Sequence, residues 1–344
     1  MAAPLRLRLD GAALVANWRW LRARGGAAAC GAAIKADGYG LGARAVMERL
    51  AAAGCRDFFV ATWAEAAALM PLPAGVALSV LHGIRAEDMA LAASVDARPV
   101  LNSPEQVQRW RAAGGGACDL MVDTGISRLG LSPADVGAGL LDGIAVDTLM
   151  SHLASADEDR ASNAAQRAAL HDVAPHVAHR RLSLANSAGI CLGPDYAFDL
   201  TRPGLALYGG VPRGEAAGAI AQVAFPEAQI IQRRLVPAGA GVGYNALWTA
   251  PVDSEIAILN LGYADGYPRA LTGHGVALAG DRRLPLRGRV SMDLVAVDVT
   301  NAPDLREGDW LGLDFALPAT AQAAGISQYE LLTGLGGRFA RIWA

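Results

Sequence analysis

Short apolar runs alternate with segments of helical period from about residue 32 to 210, and this alternation limits the fold more than any other feature. Segments such as 43–53 and 104–113 have the spacing of amphipathic helices. Eight runs between them predict buried strands: 32–37, 58–62, 77–82, 99–102, 120–124, 146–152, 182–186 and 205–208. Strands joined by helices lie parallel, so the pattern predicts an α/β fold with a TIM-like (β/α)8 barrel. A doubly wound open sheet is the alternative, because periodicity does not show closure.

The pattern changes after about residue 225. Runs 230–237, 255–261, 276–279 and 294–299 predict strands linked by Gly, Pro and Asp turns, and helical period is scarce until 326–335. We therefore predict a barrel domain over residues 10–220 and a mainly β domain over 221–344, with 210–221 as the junction. Residues 5–9 alternate like an edge strand that could belong to either domain, and residues 1–9 are a candidate strand of the β domain.

Composition excludes several classes of function. A net charge of -3 gives no electrostatic signature of nucleic-acid or anionic-membrane binding. No apolar run is long enough to span a bilayer, and the amino terminus lacks the apolar centre of a signal peptide. The four cysteines show no CxxC spacing and are expected to be buried thiols. We expect a cytoplasmic protein that binds neither nucleic acid nor membrane.

Lysine and arginine together number 30, yet Lys35 is the only lysine. Either residue serves surface charge, but arginine does not lose its proton and lysine does. A single lysine is therefore a candidate nucleophilic amine. Its surroundings support this, because Lys35 lies near the end of a predicted strand and is followed by the glycine-rich stretch Asp37-Gly38-Tyr39-Gly40. Such a turn brings backbone N–H groups close to a phosphate. The ordinary alternative is a lysine whose amine reaches solvent beside a strand–helix turn.

Polar residues follow most of the predicted strands. They are Lys35, His82, Asn102, Arg128, His152, Ser187 and Tyr208. Active sites of barrels of this type form at the carboxyl ends of several strands at once. A polar residue that merely caps a strand explains any one of them, but not so many together.

The chain resembles the alanine racemases over nearly its whole length. The resemblance is carried by motifs in the same order, each weak alone: 33–42 around Lys35, 58–62, Val122-Asp123-Thr124-Gly125 with Arg128, 185–188, Arg202-Pro203-Gly204, 262–269 and 288–293. It implies an amino-terminal barrel, a carboxy-terminal β domain, pyridoxal 5′-phosphate (PLP) as cofactor, an amino acid substrate and a homodimer with shared active sites.

The resemblance also implies roles for residues of this sequence. Racemisation needs an acid/base group on each face of the substrate α-carbon, and PLP supplies the electron sink. Lys35 matches the lysine that holds PLP as a Schiff base and serves one face. Tyr244 matches the tyrosine that the partner subunit donates to the other face. His152 matches a histidine that hydrogen-bonds near the site, and Arg202 matches the arginine that faces the pyridine nitrogen. From the residues alone, the favoured interpretation of Tyr244 is a core tyrosine of the β domain, and that of His152 is a hydrogen-bonded histidine at a strand end.

Further matched positions contact the cofactor or the substrate. The phosphate is expected to contact Tyr39, Ser187, Tyr329 and the backbone N–H groups of Gly204 and Leu205. Arg128 and the backbone N–H of Met292 match positions that hold the substrate carboxylate. Tyr263 matches a tyrosine at the substrate entrance, and Asp293 matches an acidic residue nearby.

The sequence departs from the family pattern at several positions. Many members carry a carbamylated lysine seven residues before the matching arginine, where this chain has Met121. We therefore expect an anion such as chloride, or a nearby carboxylate, beside Arg128. Gly243 and Asn245 depart from the usual Ser-Tyr-Gly context, and Ser291 stands where many members have cysteine.

Three other functions stay open at this point. A racemase of broader specificity is one, and a non-catalytic PLP-binding protein is another, although such a carrier has no use for a second base. A decarboxylase or a relative of the D-threonine aldolases is the third. The aldolase-like enzymes need a metal, and we find no ligand cluster of convincing spacing. His171, His176 and His179 are expected on one exposed helix.

Overall fold

The computed structural model describes residues 3–137 and 139–344. The chain divides into two compact units. One is Leu14–Ala221, and the other joins Gln222–Ala344 to the amino-terminal residues up to Ala13. Each unit has its own sheet and its own buried core. No helix in the described part of the chain is long and apolar enough to cross a membrane.

The first unit contains a seven-stranded parallel sheet whose strands follow sequence order. They are β3 (Ala32–Ala33), β4 (Asp57–Val60), β5 (Ala77–Val80), β6 (Arg98–Leu101), β7 (Cys118–Met121), β8 (Val146–Met150) and β9 (His179–Ser183). The short strands β2 (Ala29–Cys30) and β10 (Leu200–Thr201) pair in parallel. Hydrogen bonds from the residues that follow these two strands close the sheet. The Arg202 N–H donates to the Ala185 carbonyl at 2.8 Å, and the Gly31 N–H donates to the Thr201 carbonyl at 2.9 Å. The predicted barrel is confirmed.

Helices separate the barrel strands. They are α1 (Gly11–Arg24), α2 (Lys35–Tyr39), α3 (Ala43–Ala53), α4 (Trp63–Ala68), α5 (Met89–Ala92), α6 (Pro104–Ala112), α7 (Ala161–Val173) and α8 (Ser187–Cys191), of which α2 is a short turn with left-handed residues rather than a regular helix. Their apolar faces are buried, as Val46, Met47 and Leu50 show on α3. Several start at side-chain caps, since Ser103 accepts the Gln106 N–H before α6 and Asn186 accepts the Gly189 N–H before α8. These caps fix where each helix leaves its strand.

The predicted eighth strand at 205–208 is wrong. Leu205–Tyr208 is a buried turn of 3-10 helix, and the eighth strand is β10, two residues long. A four-residue apolar run suits a buried strand and a buried helical turn equally. Two residues are too few to show any period. The first strand also ends at Ala33 rather than at 37, because the backbone turns left-handed after Lys35.

The second unit contains an eight-stranded sheet. Its strands are β1 (Leu5–Leu9), β11 (Ala224–Val236), β14 (Ser254–Leu259), β15 (Val276–Ala279), β16 (Arg282–Arg287), β17 (Val295–Asp298), β18 (Trp310–Leu313) and β19 (Ala340–Trp343), and a hairpin adds β12 (Gly241–Val242) and β13 (Trp248–Thr249). The order is β14-β17-β16-β15-β18-β11-β1-β19, and a further pairing of β11 with β14 closes six of these strands into a ring. A mainly β second unit is confirmed.

Three expectations for secondary structure need correction. Leu5–Leu9 is not an edge strand, because it pairs antiparallel with β11 and parallel with β19. The second unit has an unpredicted helix, α9 (Leu317–Ala324), before α10 (Gln328–Thr333). His179 lies on strand β9, whereas His171 is on helix α7 and His176 on the following turn. The four cysteines are buried and free, as expected.

Candidate active site

Lys35 lies at the carboxyl end of the first barrel strand and begins an unusual turn. The backbone angle φ is +52° at Ala36, +51° at Asp37 and +55° at Tyr39, so three non-glycine residues are left-handed. Each such residue costs about 1–2 kcal/mol, so contacts elsewhere must hold the turn. Backbone bonds of 2.8 Å from Gly38 N–H to the Ile34 carbonyl and from Gly40 N–H to the Ala36 carbonyl supply part of that support.

The environment of Lys35 favours its neutral amine. Burial lowers the pKa of Lys35, the positive charge of Arg128 lowers it further, and the carboxylate of Glu65 acts in the opposite direction. A lowered pKa increases the fraction of amine that can attack an aldehyde. The site therefore has the electrostatics of a reactive lysine.

Tyr39, Ser187 and Gly204 come together beside this turn. The Ser187 hydroxyl oxygen accepts the Gly204 N–H at 3.0 Å and the Ala206 N–H at 3.2 Å. A β-carbon on Gly204 would lie 2.2 Å from the Tyr39 hydroxyl, so only glycine allows this approach. Leu205 follows as the first residue of the 3-10 turn. Hydroxyl groups beside a backbone without side chain form a cradle of the kind that takes a phosphate.

Tyr208 packs against Tyr39 of the cradle. Its ring stacks on Tyr39 with centroids 4.6 Å apart, and its hydroxyl donates to the Ala33 carbonyl at 2.8 Å. The hydroxyl of Tyr208 is fully buried, and burial raises its pKa well above the usual value. Tyr208 is therefore a neutral packing residue under Tyr39, rather than a strand-end ligand.

Arg202 is a buried cation at the end of the eighth strand. It is 6% exposed, and its guanidinium donates to the Ser183 hydroxyl and to the Ser151 carbonyl, the latter at 2.6 Å. Burial lowers the pKa of Arg202 to about 10, and Asp119 acts in the opposite direction. A pKa of about 10 still leaves Arg202 charged at neutral pH.

His152 follows strand β8 and is held neutral. Burial lowers its pKa to about 3, together with the positive charges of Arg202, Arg128 and Lys35. Three other predicted site residues, Lys35, Arg128 and Arg202, therefore lie close enough to this imidazole for their charges to act on it. The backbone carbonyl of His152 accepts the Gln166 side-chain amide at 3.0 Å.

Arg128 is exposed on the loop after β7, and Asp123 organises that loop. The Asp123 carboxylate accepts the backbone N–H groups of Gly125, Ile126 and Ser127 at 2.8 to 3.1 Å and that of Arg128 at 3.2 Å. Within residues 3–137 and 139–344, no carboxylate pairs with the Arg128 guanidinium. The expected neighbouring carboxylate is therefore wrong for the described chain. Met121 is buried on β7, and an anion beside Arg128 stays a prediction.

The other predicted residues lie on the second unit. Tyr244 is at the tip of the β12–β13 hairpin and is 69% exposed. Gly243, Asn245 and Ala246 around it all have positive φ. Tyr244 also lines a cavity of about 460 Å³ with Ser291, Arg287 and Arg289. Because Tyr244 is exposed at a hairpin tip, its side chain is not part of the core of the second unit.

Tyr329 lies on α10 and is 44% exposed.

Tyr263 and Met292 lie on two segments that bond to each other. The Tyr263 N–H bonds the Ser291 carbonyl, and the Ala264 N–H bonds the Met292 carbonyl, both at 3.0 Å. A β-carbon on Gly262 would lie 2.2 Å from the Met292 carbonyl oxygen, so glycine is required for this contact. Within the described residues the Met292 N–H has no acceptor, which leaves it available for a carboxylate.

Two residues near the site were not predicted from the sequence. Glu65 bonds the backbone next to Lys35, and Arg338 bonds Asp265 and Asp293 beside Tyr263 and Met292. The Thr62-x-x-Glu65 spacing is a readable helix-cap signal, although it does not show the contact with Ala36. No signal in the sequence indicates Arg338.

Comparisons with known proteins agree with this arrangement. The family model of the alanine racemase N-terminal domain matches residues 9–212, and that of the C-terminal domain matches residues 223–343. An alanine racemase of Rhodospirillum rubrum is 44% identical over 355 residues, covering 97% of this chain and 94% of its own. A catabolic alanine racemase of Agrobacterium fabrum is 42% identical and covers 97% of this chain and 91% of its own.

Solved structures give the same result. The alanine racemase of Bartonella henselae, with covalently bound pyridoxal phosphate, superposes with a TM-score of 0.91 at 34% identity over 100% of both chains. The biosynthetic alanine racemase of Pseudomonas aeruginosa gives 0.89 at 33% identity, again over 100% of both. Both family models and full-length relatives match in the same order along the sequence. The chain belongs to the alanine racemase family.

Proposed function

We propose that this chain interconverts L-alanine and D-alanine with PLP as cofactor, by a two-base mechanism in a homodimer. The carrying observation is Lys35, the only lysine of the chain, at a barrel-strand end with a lowered pKa beside the Tyr39–Ser187–Gly204 cradle. The covalently bound pyridoxal phosphate of the Bartonella henselae relative supports the same cofactor. We assign cofactor binding to the barrel unit.

The residues of the cradle fit a phosphate ester. Tyr39 and Ser187 offer hydroxyl groups, and the backbone at Gly204 approaches them without an obstructing side chain. The backbone N–H groups of Gly204 and Leu205 are the proposed phosphate donors from this segment. Tyr329 is the proposed phosphate contact from the second unit. When bound, PLP supplies the electron sink that acidifies the substrate α-proton.

Lys35 and Tyr244 are the proposed acid/base pair. Lys35 exchanges the α-proton at its Nζ on one face, and the phenol oxygen of Tyr244 from the partner subunit does so on the other. Tyrosine has a pKa of about 10, so it needs nearby positive charge to act as a base. His152 is proposed to hydrogen-bond beside the site as a neutral imidazole.

Arg202 and Arg128 have different proposed roles, one toward the cofactor and one toward the substrate. Arg202 is buried and charged, so it offers hydrogen-bond donors to a ring nitrogen without transferring a proton to it. Arg128 and the Met292 N–H bind the substrate carboxylate, which fixes the α-carbon between the two bases. Tyr263, 42% exposed, lines the proposed substrate entrance.

The first experiment is proton NMR of L-alanine with the PLP-loaded enzyme in D2O, combined with a chiral assay of the product. Loss of the α-proton signal with formation of D-alanine supports racemisation by two bases. Exchange without inversion contradicts the two-base assignment, because a single base returns the proton to the same face. Inversion of serine at a comparable rate would indicate broader specificity.

The unique lysine gives a second readout that does not depend on turnover. Borohydride reduces the C=N bond between a lysine and an aldehyde, and a protease that cleaves after lysine cuts this chain only at Lys35. Reduction with PLP is expected to abolish that cut. The Lys35→Ala variant, which has no lysine, is the control for cleavage and labelling. Continued cleavage after reduction would contradict the assignment of Lys35.

A further inference from the structure

The backbone after Lys35 is held from outside by a side chain of the next strand–helix unit. Glu65 lies in the first turn of α4, and one of its carboxylate oxygens accepts the Ala36 N–H at 2.8 Å. Ala36 is the first left-handed residue of the turn. The bond therefore acts at the point where the chain leaves its ordinary conformation.

The other carboxylate oxygen of Glu65 accepts hydrogen bonds from the residues just before its own helix, α4. It accepts the Ala61 N–H at 2.6 Å and the Thr62 N–H at 3.2 Å, while the Glu65 N–H donates to the Thr62 hydroxyl. A capping box requires only the exchange between Thr62 and Glu65. The bond to Ala36, 29 residues away, is therefore not required to begin helix α4.

The far end of the same turn is also held by a carboxylate. Asp37 accepts the Ala43 N–H at the start of α3 at 2.8 Å. Glu65 thus fixes the entry of the left-handed turn and Asp37 fixes its exit. Lys35 stands immediately before the fixed entry, so its backbone position depends on Glu65.

We propose that Glu65 is a positioning residue for Lys35, which fixes the lysine backbone through Ala36 and places a negative charge near its amine. The proposed effect of the negative charge agrees with the pKa of Lys35, which Glu65 raises and Arg128 lowers. The inference rests on the proposed function, in which Lys35 is the reactive amine. The hydrogen bonds of Glu65 are with Ala36, Ala61 and Thr62, so its proposed effect on Lys35 is indirect.

The test uses the full-length Glu65→Gln variant. A glutamine has a single acceptor oxygen, so it can keep the Ala61–Thr62 contacts or the Ala36 contact but not both, and it carries no charge. Thr62→Val is the matched control, because it weakens the same helix start and leaves the Glu65–Ala36 bond in place.

The readout is the reaction of Lys35 with trinitrobenzenesulfonate as a function of pH in the cofactor-free chain. Peptide mass spectrometry separates the label on Lys35 from that on the amino terminus. We expect the pH midpoint of Lys35 to fall in Glu65→Gln and PLP to bind about tenfold more weakly. Thr62→Val should have the wild-type midpoint. Equal midpoints in Glu65→Gln and wild type, or equal shifts in Glu65→Gln and Thr62→Val, would overturn the proposal.

Glu65→Asp covers the case in which Glu65→Gln does not fold. Aspartate keeps the charge but is one methylene too short to reach Ala36, so PLP should bind more weakly at a nearly unchanged pH midpoint. PLP binding equal to wild type would overturn the positioning role. Failure of the proposed function is distinguishable, because wild type would then form no borohydride-reducible link at Lys35 whatever the variants do.

Discussion

Arg338 holds the buried carboxylate of Asp265. Its Nε donates to Asp265 Oδ1 at 2.6 Å, and its Nη1 donates to Asp293 at 2.7 Å. Asp265 is 1% exposed, and its second oxygen accepts the Gly262 N–H at 2.9 Å. One guanidinium therefore joins the turn that carries Tyr263 to the segment that carries Met292. The sequence stretches involved are distant from residue 338, so only folding brings them together.

Replacing Arg338 by methionine should weaken both stability and substrate binding. The Asp265 carboxylate would lose its charged partner, which costs about 1–3 kcal/mol of unfolding free energy. The segments of Tyr263 and Met292 would loosen, so KM for alanine should rise more than kcat falls. Arg282→Met is the control, since Arg282 forms a similar ion pair with Asp304 on the exposed surface. Denaturant unfolding and steady-state kinetics that do not separate the two variants would contradict this role.

Replacing Asp123 by asparagine should disturb Arg128 and change how stability depends on pH. Burial would raise the pKa of Asp123, but the N–H groups of its loop outweigh this and lower it. A lowered folded-state pKa stabilises the protein above the unfolded-state pKa, and this contribution disappears as the pH falls through the folded-state value. The stability difference from wild type should therefore be largest at neutral pH and shrink in acid.

Thermal unfolding of Asp123→Asn over a series of pH values measures this. Asp135→Asn is the matched control, because the Asp135 carboxylate accepts two bonds from Ser132 instead of organising a loop of four N–H groups. A stability difference that stays constant from neutral to acid pH would show that Asp123 does not act through its charge.

His152 should make the native state less stable in acid. Its folded-state pKa of about 3 lies below the unfolded value near 6.5, so between these values the unfolded chain binds a proton that the folded chain does not. Each pH unit below about 6.5 then removes up to about 1.4 kcal/mol, until about pH 3. The His152→Gln variant should lose less stability than wild type over that range.

NMR gives a direct check of the same residue. The His152 ring signal, assigned by its absence in His152→Gln, should keep its neutral shift down to about pH 4. Titration of that signal near pH 6.5 would contradict the effect of burial and of the three cations.

A mixed dimer tests whether two copies share each site. Neither Lys35→Ala nor Tyr244→Phe alone should racemise alanine efficiently, because each lacks one acid/base group. If Tyr244 serves the partner's Lys35, random pairing of the two variants restores one site in each hybrid, or roughly a quarter of wild-type activity. The absence of recovery, with subunit exchange verified by mass, would show that Lys35 and Tyr244 do not act across subunits.

Local sequence determined the elements whose signal lies within one segment. The helix expected at 43–53 is Ala43–Ala53, the one expected at 104–113 is Pro104–Ala112, and the strand expected at 276–279 is Val276–Ala279. Each shows its period over its own length, so no distant contact is needed to recognise it. The sequence also identified Lys35, because a single lysine is visible by counting.

The tertiary structure decided what depends on residues far apart. The left-handed turn after Lys35 forms against the local backbone preference, and Glu65 of helix α4 supports it by accepting the Ala36 N–H. The eighth strand is only Leu200–Thr201 and exists because its neighbours on both sides offer hydrogen bonds. Arg338 meets Asp265 across 73 residues of chain. Such contacts leave no periodic trace in the sequence, because their geometry is fixed by the packing of complete elements.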